Sequence, residues 1–318
     1  MFRKVSLRIL VYILVILTVL TIITQIAQKM GGESTFRSDL AAFDTAKVTS
    51  LAISDLKNGN KNVELEKSGH SWKMKAGGRD YRTDDNYINN LLWELTQVKA
   101  ERIAANSKSK WKEYEVTDSL ALRITVKGKS KILADLMMGK FSYQPQQGGN
   151  PYNQQGKMTS YVRIADEKEV YAVNGFLRAS FSPEIDRFRD RTIVRAVAGN
   201  LKKLTFQYPA DSSFVLEKQD NAWIAGGIKA DSAKASQYIS SLEHMMGGDF
   251  ADNVLANGQA RFRLTIEGAS SMPVDISAFD ADSLNGQVII SSLNPGAQFS
   301  GKSGLTGRIF RGKSSFLK

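Results

Sequence analysis

Two stretches near the C-terminus match the glycine-rich phosphate-loop pattern: Gly296-Ala-Gln-Phe-Ser-Gly301-Lys302-Ser303 and Gly307-Arg-Ile-Phe-Arg-Gly312-Lys313-Ser314. That chemistry needs a loop of backbone N–H groups feeding a helix N-terminus, and a later strand carrying a magnesium-binding aspartate. Leu305-Thr-Gly-Arg-Ile-Phe310 reads as turn and strand, and only four residues follow Ser314. Neither match has the room, and glycine-rich hairpins with surface lysines account for both. Ser107-Lys-Ser-Lys110 has the Ser-x-x-Lys spacing of a nucleophile and its base, but sits in a polar loop of a serine- and lysine-rich chain. His70, in a turn, and His244, on a helix, are the only histidines and have no partner at metal-ligand spacing. Asp84 and Asp85 are adjacent, so their carboxylates do not converge on one substrate; a helix-start role is expected. No catalytic, cofactor or metal site is expected.

Two other groupings suit binding better than catalysis. Asp186, Arg187, Arg189, Asp190 and Arg191 form the densest charge cluster. It reads as a solvated helix face, or as a latch or partner contact between two domains. The segment 142–159, rich in Gln, Asn, Gly and Pro, lacks core residues and reads as a long hairpin tip. With Phe141, Tyr143, Tyr152 and Tyr161 it could offer rings and amides to glycan or protein. Tyr143, Tyr152, Arg187, Arg189 and Arg191 are the candidate partner contacts.

These groups need elements to hold them. Hydrophobic content of 42% and charged content of 24% are those of a folded chain, and 318 residues suffice for two ordinary domains. The absence of cysteine excludes disulfides, thiolate metal sites and cysteine nucleophiles. Residues 9–27 are 19 positions without a charge, preceded by Arg3, Lys4 and Arg8. This pattern predicts a transmembrane anchor with a cytoplasmic N-terminus and an extracytoplasmic bulk; a cleaved signal peptide is the alternative. Without those three cations, 40 basic face 32 acidic residues, a scattered surplus of eight. It fits a solvated basic surface, or attraction to anionic lipid, glycan or an acidic partner. Nucleic acid is not an expected partner of an exported domain.

Beyond a polar tether at 31–46, alternating apolar strands surround one helical stripe: Tyr87, Ile88, Leu91, Leu92, Leu95 and Val98. The pattern then recurs. Lys203-Leu-Thr-Phe-Gln matches the first strand at an offset of about 153, Phe214-Val-Leu-Glu-Lys and Trp223 match Val63-Glu-Leu-Glu and Trp72 at 151, and Ile239 follows Ile88 by 151. Phe262-Arg-Leu-Thr-Ile-Glu-Gly268 matches Leu122-Arg-Ile-Thr-Val-Lys-Gly128 at 140. Val274-Asp-Ile-Ser-Ala-Phe then takes the place of Ile132-Leu-Ala-Asp-Leu-Met, and Gln287-Val-Ile-Ile and Gly307-Arg-Ile-Phe supply final strands. Four matches in one order predict a duplication. Trp72 and Trp223 fall before the helices and suit packing. The expected fold is α+β: an N-terminal transmembrane helix, then two duplicated modules of mainly antiparallel sheet, each with a packed amphipathic helix. The expected divisions are 1–30 (basic stub and anchor), 31–46 (tether), 47–180 (first module), 181–200 (charged helical linker) and 201–318 (second module).

The order Ser71-Trp72, Tyr81-Arg-Thr-Asp84 with Ile88 and Leu91-Leu92, Gly139-Lys140, Tyr161-Val-Arg, Val170-Tyr-Ala-Val and Phe188-Arg-Asp-Arg191, then Trp223 and Asp231, resembles domain-of-unknown-function family 4340. The long Gln-rich insertion and Tyr114-Glu-Val-Thr depart from its pattern. The resemblance implies a membrane-anchored protein encoded beside a gliding-type ABC transporter, and it carries over no catalytic residue. The expected function is therefore a non-enzymatic, single-pass accessory or scaffold protein of an ABC-type transport or gliding-related complex at the bacterial inner membrane, its bulk periplasmic. An envelope glycan- or anionic-lipid-binding module is the alternative, and an exported hydrolase comes third.

Overall fold

The computed structural model describes residues 14, 16–19, 21, 37–59, 61–76, 78–145, 156–270, 272–281 and 286–318. It corrects the expectation of a membrane span. Among the described residues no helix is long and apolar enough to cross a membrane. Within 9–27 the described helical residues are Leu14, Ile16, Leu17, Thr18, Val19 and Thr21. The rest of that stretch, and the tether as far as residue 36, lie outside the described residues. The single-pass anchor, the membrane as a partner and the inner-membrane placement all rested on that span and are not supported.

After a 3-10 turn at Thr45–Lys47 come strands β1 (Ser50–Asp55), β2 (Lys61–Ser68), β3 (Ser71–Ala76) and β4 (Arg79–Arg82), then helix α1 (Asp85–Thr96). Strands β5 (Ala100–Ala105), β6 (Leu122–Lys127), β7 (Ile132–Gln144), β8 (Lys157–Ile164) and β9 (Val170–Asn174) follow. Two short helices, α2 (Leu177–Ser180) and α3 (Ile185–Phe188), lead to β10 (Thr192–Val194). Next are β11 (Lys203–Gln207), β12 (Phe214–Gln219), β13 (Ala222–Ala225), β14 (Ile228–Lys229) and α4 (Ser232–Ser241). The chain continues through β15 (Met245–Met246), β16 (Asn257–Glu267), β17 (Val274–Ala281), β18 (Gly286–Ser291) and β19 (Phe299–Ser300) to α5 (Leu305–Ile309) and a 3-10 turn at Lys313–Phe316. The fold is mostly antiparallel sheet. Gly307-Arg-Ile-Phe, expected as a strand, belongs instead to α5 and its C-cap.

The chain forms two compact units. The first comprises Met1–Asn62 and Asn89–Pro183, the second Val63–Ile88 and Glu184–Lys318. In the first, strands run in the order β1-β6-β7-β8-β9-β5, antiparallel throughout. Arg178 is held there by Asp55, whose two oxygens each accept from Nη2 at 2.9 Å. In the second, β4-β3-β2 form an antiparallel meander, and an eight-stranded sheet has the order β14-β13-β12-β11-β16-β17-β18-β19. Its core gathers Leu204, Phe206, Leu216, Ile266, Ile276 and Phe299, among others. Phe206 and Phe214 stack at 4.5 Å.

Backbone pairing repeats along the chain with defined offsets. The turns Thr45–Lys47 and Ala198–Asn200 lie 153 residues apart. Each is closed by the N–H of the next residue, Val48 or Leu201, and both of these are buried. In β1·β6, Leu51 pairs with Val126 and Ile53 with Ile124; in β11·β16, Leu204 pairs with Ile266 and Phe206 with Leu264. Thr125 Oγ1 donates to Asp135 at 3.2 Å, and Thr265 Oγ1 to Asp275 at 2.6 Å. Asp275 thus corresponds to Asp135, and Val274 to Ala134 rather than Ile132. Gly268 is fixed by the fold: its φ is +93°, and a Cβ there would sit 2.1 Å from the Asn200 carbonyl oxygen.

The offset of 151 holds through the next hairpin: Leu65·Met74 and Lys67·Trp72 correspond to Leu216·Ala225 and Lys218·Trp223. It then changes. Met74·Tyr81 corresponds to Ala225·Ile228, but the first hairpin carries two further pairs, Lys75·Asp80 and Ala76·Arg79. Those four residues reduce the offset to 147. Asp84 and Asp231 accordingly hold equivalent helix starts: Asp84 accepts from the amides of Asn86 and Tyr87, Asp231 from those of Ala233 and Lys234. Ile88, Leu91, Leu92 and Leu95 are buried, as are Ala235, Tyr238, Ile239 and Leu242. Ile88 therefore corresponds to Ala235, not Ile239.

Each capping aspartate also donates its backbone N–H, Asp84 to the carbonyl of Phe188 and Asp231 to that of Phe316, both at 2.8 Å. Both phenylalanines are buried and end a helical turn, Ile185–Phe188 or Lys313–Phe316. Of the segment expected as a charged helical linker, the turn Ile185–Phe188 and the 3-10 turn Ala198–Asn200 are helical, and the first of these closes the first copy.

The amides of Lys234 and Ala233 hold the Asp231 carboxyl below its ordinary pKa. A cap depressed in this way stabilises the fold above the ordinary carboxylate range and loses its effect as pH falls through the lowered value. Asp231→Asn is expected to flatten the acid limb of a stability–pH profile. Asp84→Ala is expected to cost about 1 kcal/mol in urea unfolding.

Candidate functional site

The clustered arginines fall in the second compact unit. Residues 189 and 190 lie beside β4: Arg189 bridges Thr83, and the Asp190 N–H donates to the Arg82 carbonyl at 2.9 Å. This backbone pairing turns the Arg189 side chain inward, where it is only 5% exposed. Its guanidinium lies 3.5 Å from the ring centre of Phe250 and 4.6 Å from that of Tyr81. It pairs with Asp252 at 2.6 Å and with Asp186 at 3.2 Å. A buried cation held between two rings and two carboxylates has met its desolvation cost internally.

The neighbouring groups are also engaged. Arg191 lies over Phe250 at 4.8 Å and donates to the carbonyls of Gly248 and Asp186. Asp190 pairs with Arg82 at 2.8 Å, accepts from the Thr192 N–H, and offers its carbonyl to Asn294. Half-buried Arg187 lies 5.9 Å from the Tyr87 ring centre. Sequence reading found these cations but not Tyr81, Phe250 or Asp252, which are distant along the chain. Only β4 and the segment after β15 bring them to Arg189.

Tyr143 lies in the first unit, on a different kind of surface. Phe141 and Tyr143 alternate on β7 and so share a face, and Tyr143 pairs across the strands with Met158 of β8. Phe176 meets Phe141 with ring centres 4.2 Å apart. All four side chains are exposed, by 38% to 47%. Gly156 lies under the Tyr143 ring, where a Cβ would come within 2.2 Å of it. Tyr152, in the hairpin tip at 146–155, lies outside the described residues.

The groups weighed for catalysis are otherwise occupied. Asp84 caps α1, and Asp85 accepts from the Trp72 N–H and the Thr83 hydroxyl. Ser107 caps a 3-10 turn, and Lys110 bonds Glu113 at 2.8 Å. That hydrogen bond raises the Lys110 pKa, the opposite of what a general base needs. In the first phosphate-loop match, Phe299 and Ser300 form β19, and the amides of Ser300 and Gly301 already serve the carbonyls of Asp249 and Gln287. In the second, Lys313 donates to the Gly226 carbonyl. Among the described residues no three His, Asp or Glu side chains are grouped to hold a metal.

The sequence profile of the family described as "Domain of unknown function (DUF4340)" matches residues 72–261. This span is more than half of the chain, and the chain belongs to that family. No curated protein and no solved structure matches it.

Arg189→Ala leaves Asp252, itself only 17% exposed, without its cation. A loss of about 3–5 kcal/mol is expected in urea unfolding, whereas Arg187→Ala should cost less than about 1 kcal/mol. Equal losses would show that burial of Arg189 does not set its role.

Proposed function

We propose that this DUF4340 protein is a non-enzymatic accessory or scaffold protein, and that it contacts a protein component of an ABC-type transport complex through the β7–β8 face. The observation that carries the contact surface is the group Phe141, Tyr143 and Met158, exposed on the β7–β8 stem, with Phe176 from the segment after β9 against Phe141. Aromatic residues and methionine are the types enriched at protein interfaces. Leaving them in water forgoes about 25 cal/mol per Å² of apolar surface, which a partner would recover. The arginines of the 187–191 cluster are engaged within their own unit and contribute less. The transport-complex partner is the one implied by the family resemblance. The same rings also suit stacking on a sugar face, which is the second reading.

A photocrosslinking residue at position 143, used in cells, is expected to capture a transporter component. Tyr143→Asp combined with Phe141→Asp should reduce co-purification of that component at least tenfold with unchanged melting. Repeated capture of no transporter component would sink the proposal. Retention on isolated cell wall, lost in the same double variant, would move the reading to glycan.

A further inference from the structure

The second compact unit has a cleft of about 360 Å³ between α4, β15 and the C-terminal segment. This lies within the roughly 300–1,000 Å³ range of small-molecule sites. Its basic lining is Lys234, His244, Arg308 and Arg311, and no Asp or Glu lines it. Helical spacing explains the α4 wall: Lys234, Gln237, Tyr238 and Ser241 recur at three and four residues and so share a face. Arg308 comes from the last turn of α5, and Arg311 follows three residues later.

These groups differ in how far they are committed. The Tyr238 hydroxyl donates to the Ile309 carbonyl at 2.6 Å, fixing the end of α5 against α4. Burial holds the Tyr238 hydroxyl in its neutral, donating form, well above its ordinary pKa. Lys234 Nζ donates to the Leu317 carbonyl at 2.6 Å, which ties the C-terminal segment across one side. Among the described residues no hydrogen bond or ion pair engages the side chains of Arg308, Arg311, His244 or Gln237. The contrast with Arg189, Arg163 and Arg178 is direct, since each of those is paired with a carboxylate. Two unpaired guanidiniums beside a lysine, in a cleft that no acid lines, form a local excess of positive charge that Asp231, near Lys234 alone among them, offsets only in part and that an anion would neutralise.

We infer that this cleft binds a small phosphate-bearing ligand, with Arg308 and Arg311 holding the phosphoryl oxygens and Gln237 and His244 reaching the remainder. Guanidinium forks match phosphate geometry and their charge suits a dianion better than a single carboxylate. Phe316 and Met245 give the cleft a buried apolar side, which leaves room for a short organic group. The inference does not depend on the contact surface proposed for β7–β8, which belongs to the other unit.

Calorimetric titration of the full chain with glycerol phosphate is expected to show saturable binding that weakens with salt. Glycerate, with one charge, should bind at least tenfold more weakly. Arg308→Ala and Arg311→Ala should each weaken glycerol phosphate about tenfold, the effect of losing one charge-assisted hydrogen-bonding group, and the double variant should show none. Arg263→Ala, on a separate cleft of the same unit, should bind normally. Vesicles containing phosphatidic acid, compared with phosphatidylcholine alone, separate the two sources of the phosphate: selective retention lost in the double variant identifies a headgroup, and glycerol phosphate binding without retention identifies a free metabolite. Absence of both kinds of binding, equal affinity for glycerate, or unchanged binding in a double variant that melts normally would each overturn the inference.

Discussion

The desolvated charge of Arg189 is the constraint on which the arrangement of the second compact unit turns. A guanidinium at 5% exposure is tolerable only if fully paired, and the pairing draws on distant parts of the chain. Tyr81 comes from β4, Asp186 from α3, and Phe250 and Asp252 from the segment after β15. Removing any one leaves a buried charge short of a partner. Arg82, Asp190 and Asn294 surround it with further bonds, so residues 186–191 are tied down within the second unit. A dense run of charges in a sequence commonly marks a solvated face. Here the fold turns one member of that run, Arg189, inward.

The copies share a backbone plan that side chains alone obscure. Each starts with a 3-10 turn, runs into a strand whose register repeats residue for residue, and ends where a phenylalanine carbonyl meets the N–H of the helix-capping aspartate. That last bond satisfies a backbone donor just outside the first helical turn, where intrahelical partners are lacking. It also seats an aromatic ring on the helix: Tyr87 meets Phe188 at 5.5 Å, and Tyr238 meets Phe316 at 5.3 Å, both edge to face. Two added pairs lengthen the β3–β4 hairpin, and the connection from the helix to the next paired strand is seven residues longer in the first copy, without disturbing the strand register behind either. The copies therefore diverge at tips and surfaces while the hydrogen-bonded frame is kept.

Divergence places different chemistry in the two units. The first carries an exposed aromatic stem on β7 and β8. The second carries a cleft lined by cations from α4, α5 and the C-terminal segment. Its Arg308 lies in the stretch that sequence reading took for a strand and Arg311 just after it, because Gly307-Arg-Ile-Phe alternates over too few residues to separate a strand from a short helix. The helix assignment comes from packing: Leu305 and Ile309, four residues apart, are both buried.

Period and spacing in the sequence determined the longer strands of both copies, the two longer helices, the ordered matches between the copies and family membership, because each leaves a local signature: alternation, a three-to-four-residue stripe, or an ordered set of matches; short strands such as β5 and β19 left none. They also located the capping aspartates and the cluster holding Arg189. Tertiary structure alone decided the partners of Arg189, the burial that separates it from Arg308 and Arg311, the correspondence of Ile88 with Ala235, and the lack of a membrane-spanning helix among the described residues. The physical reason is range. Periodicity and capping act over one or two turns of chain, whereas the pairing of Arg189 with Tyr81, Phe250 and Asp252 and the walls of the cleft join residues tens to over a hundred positions apart.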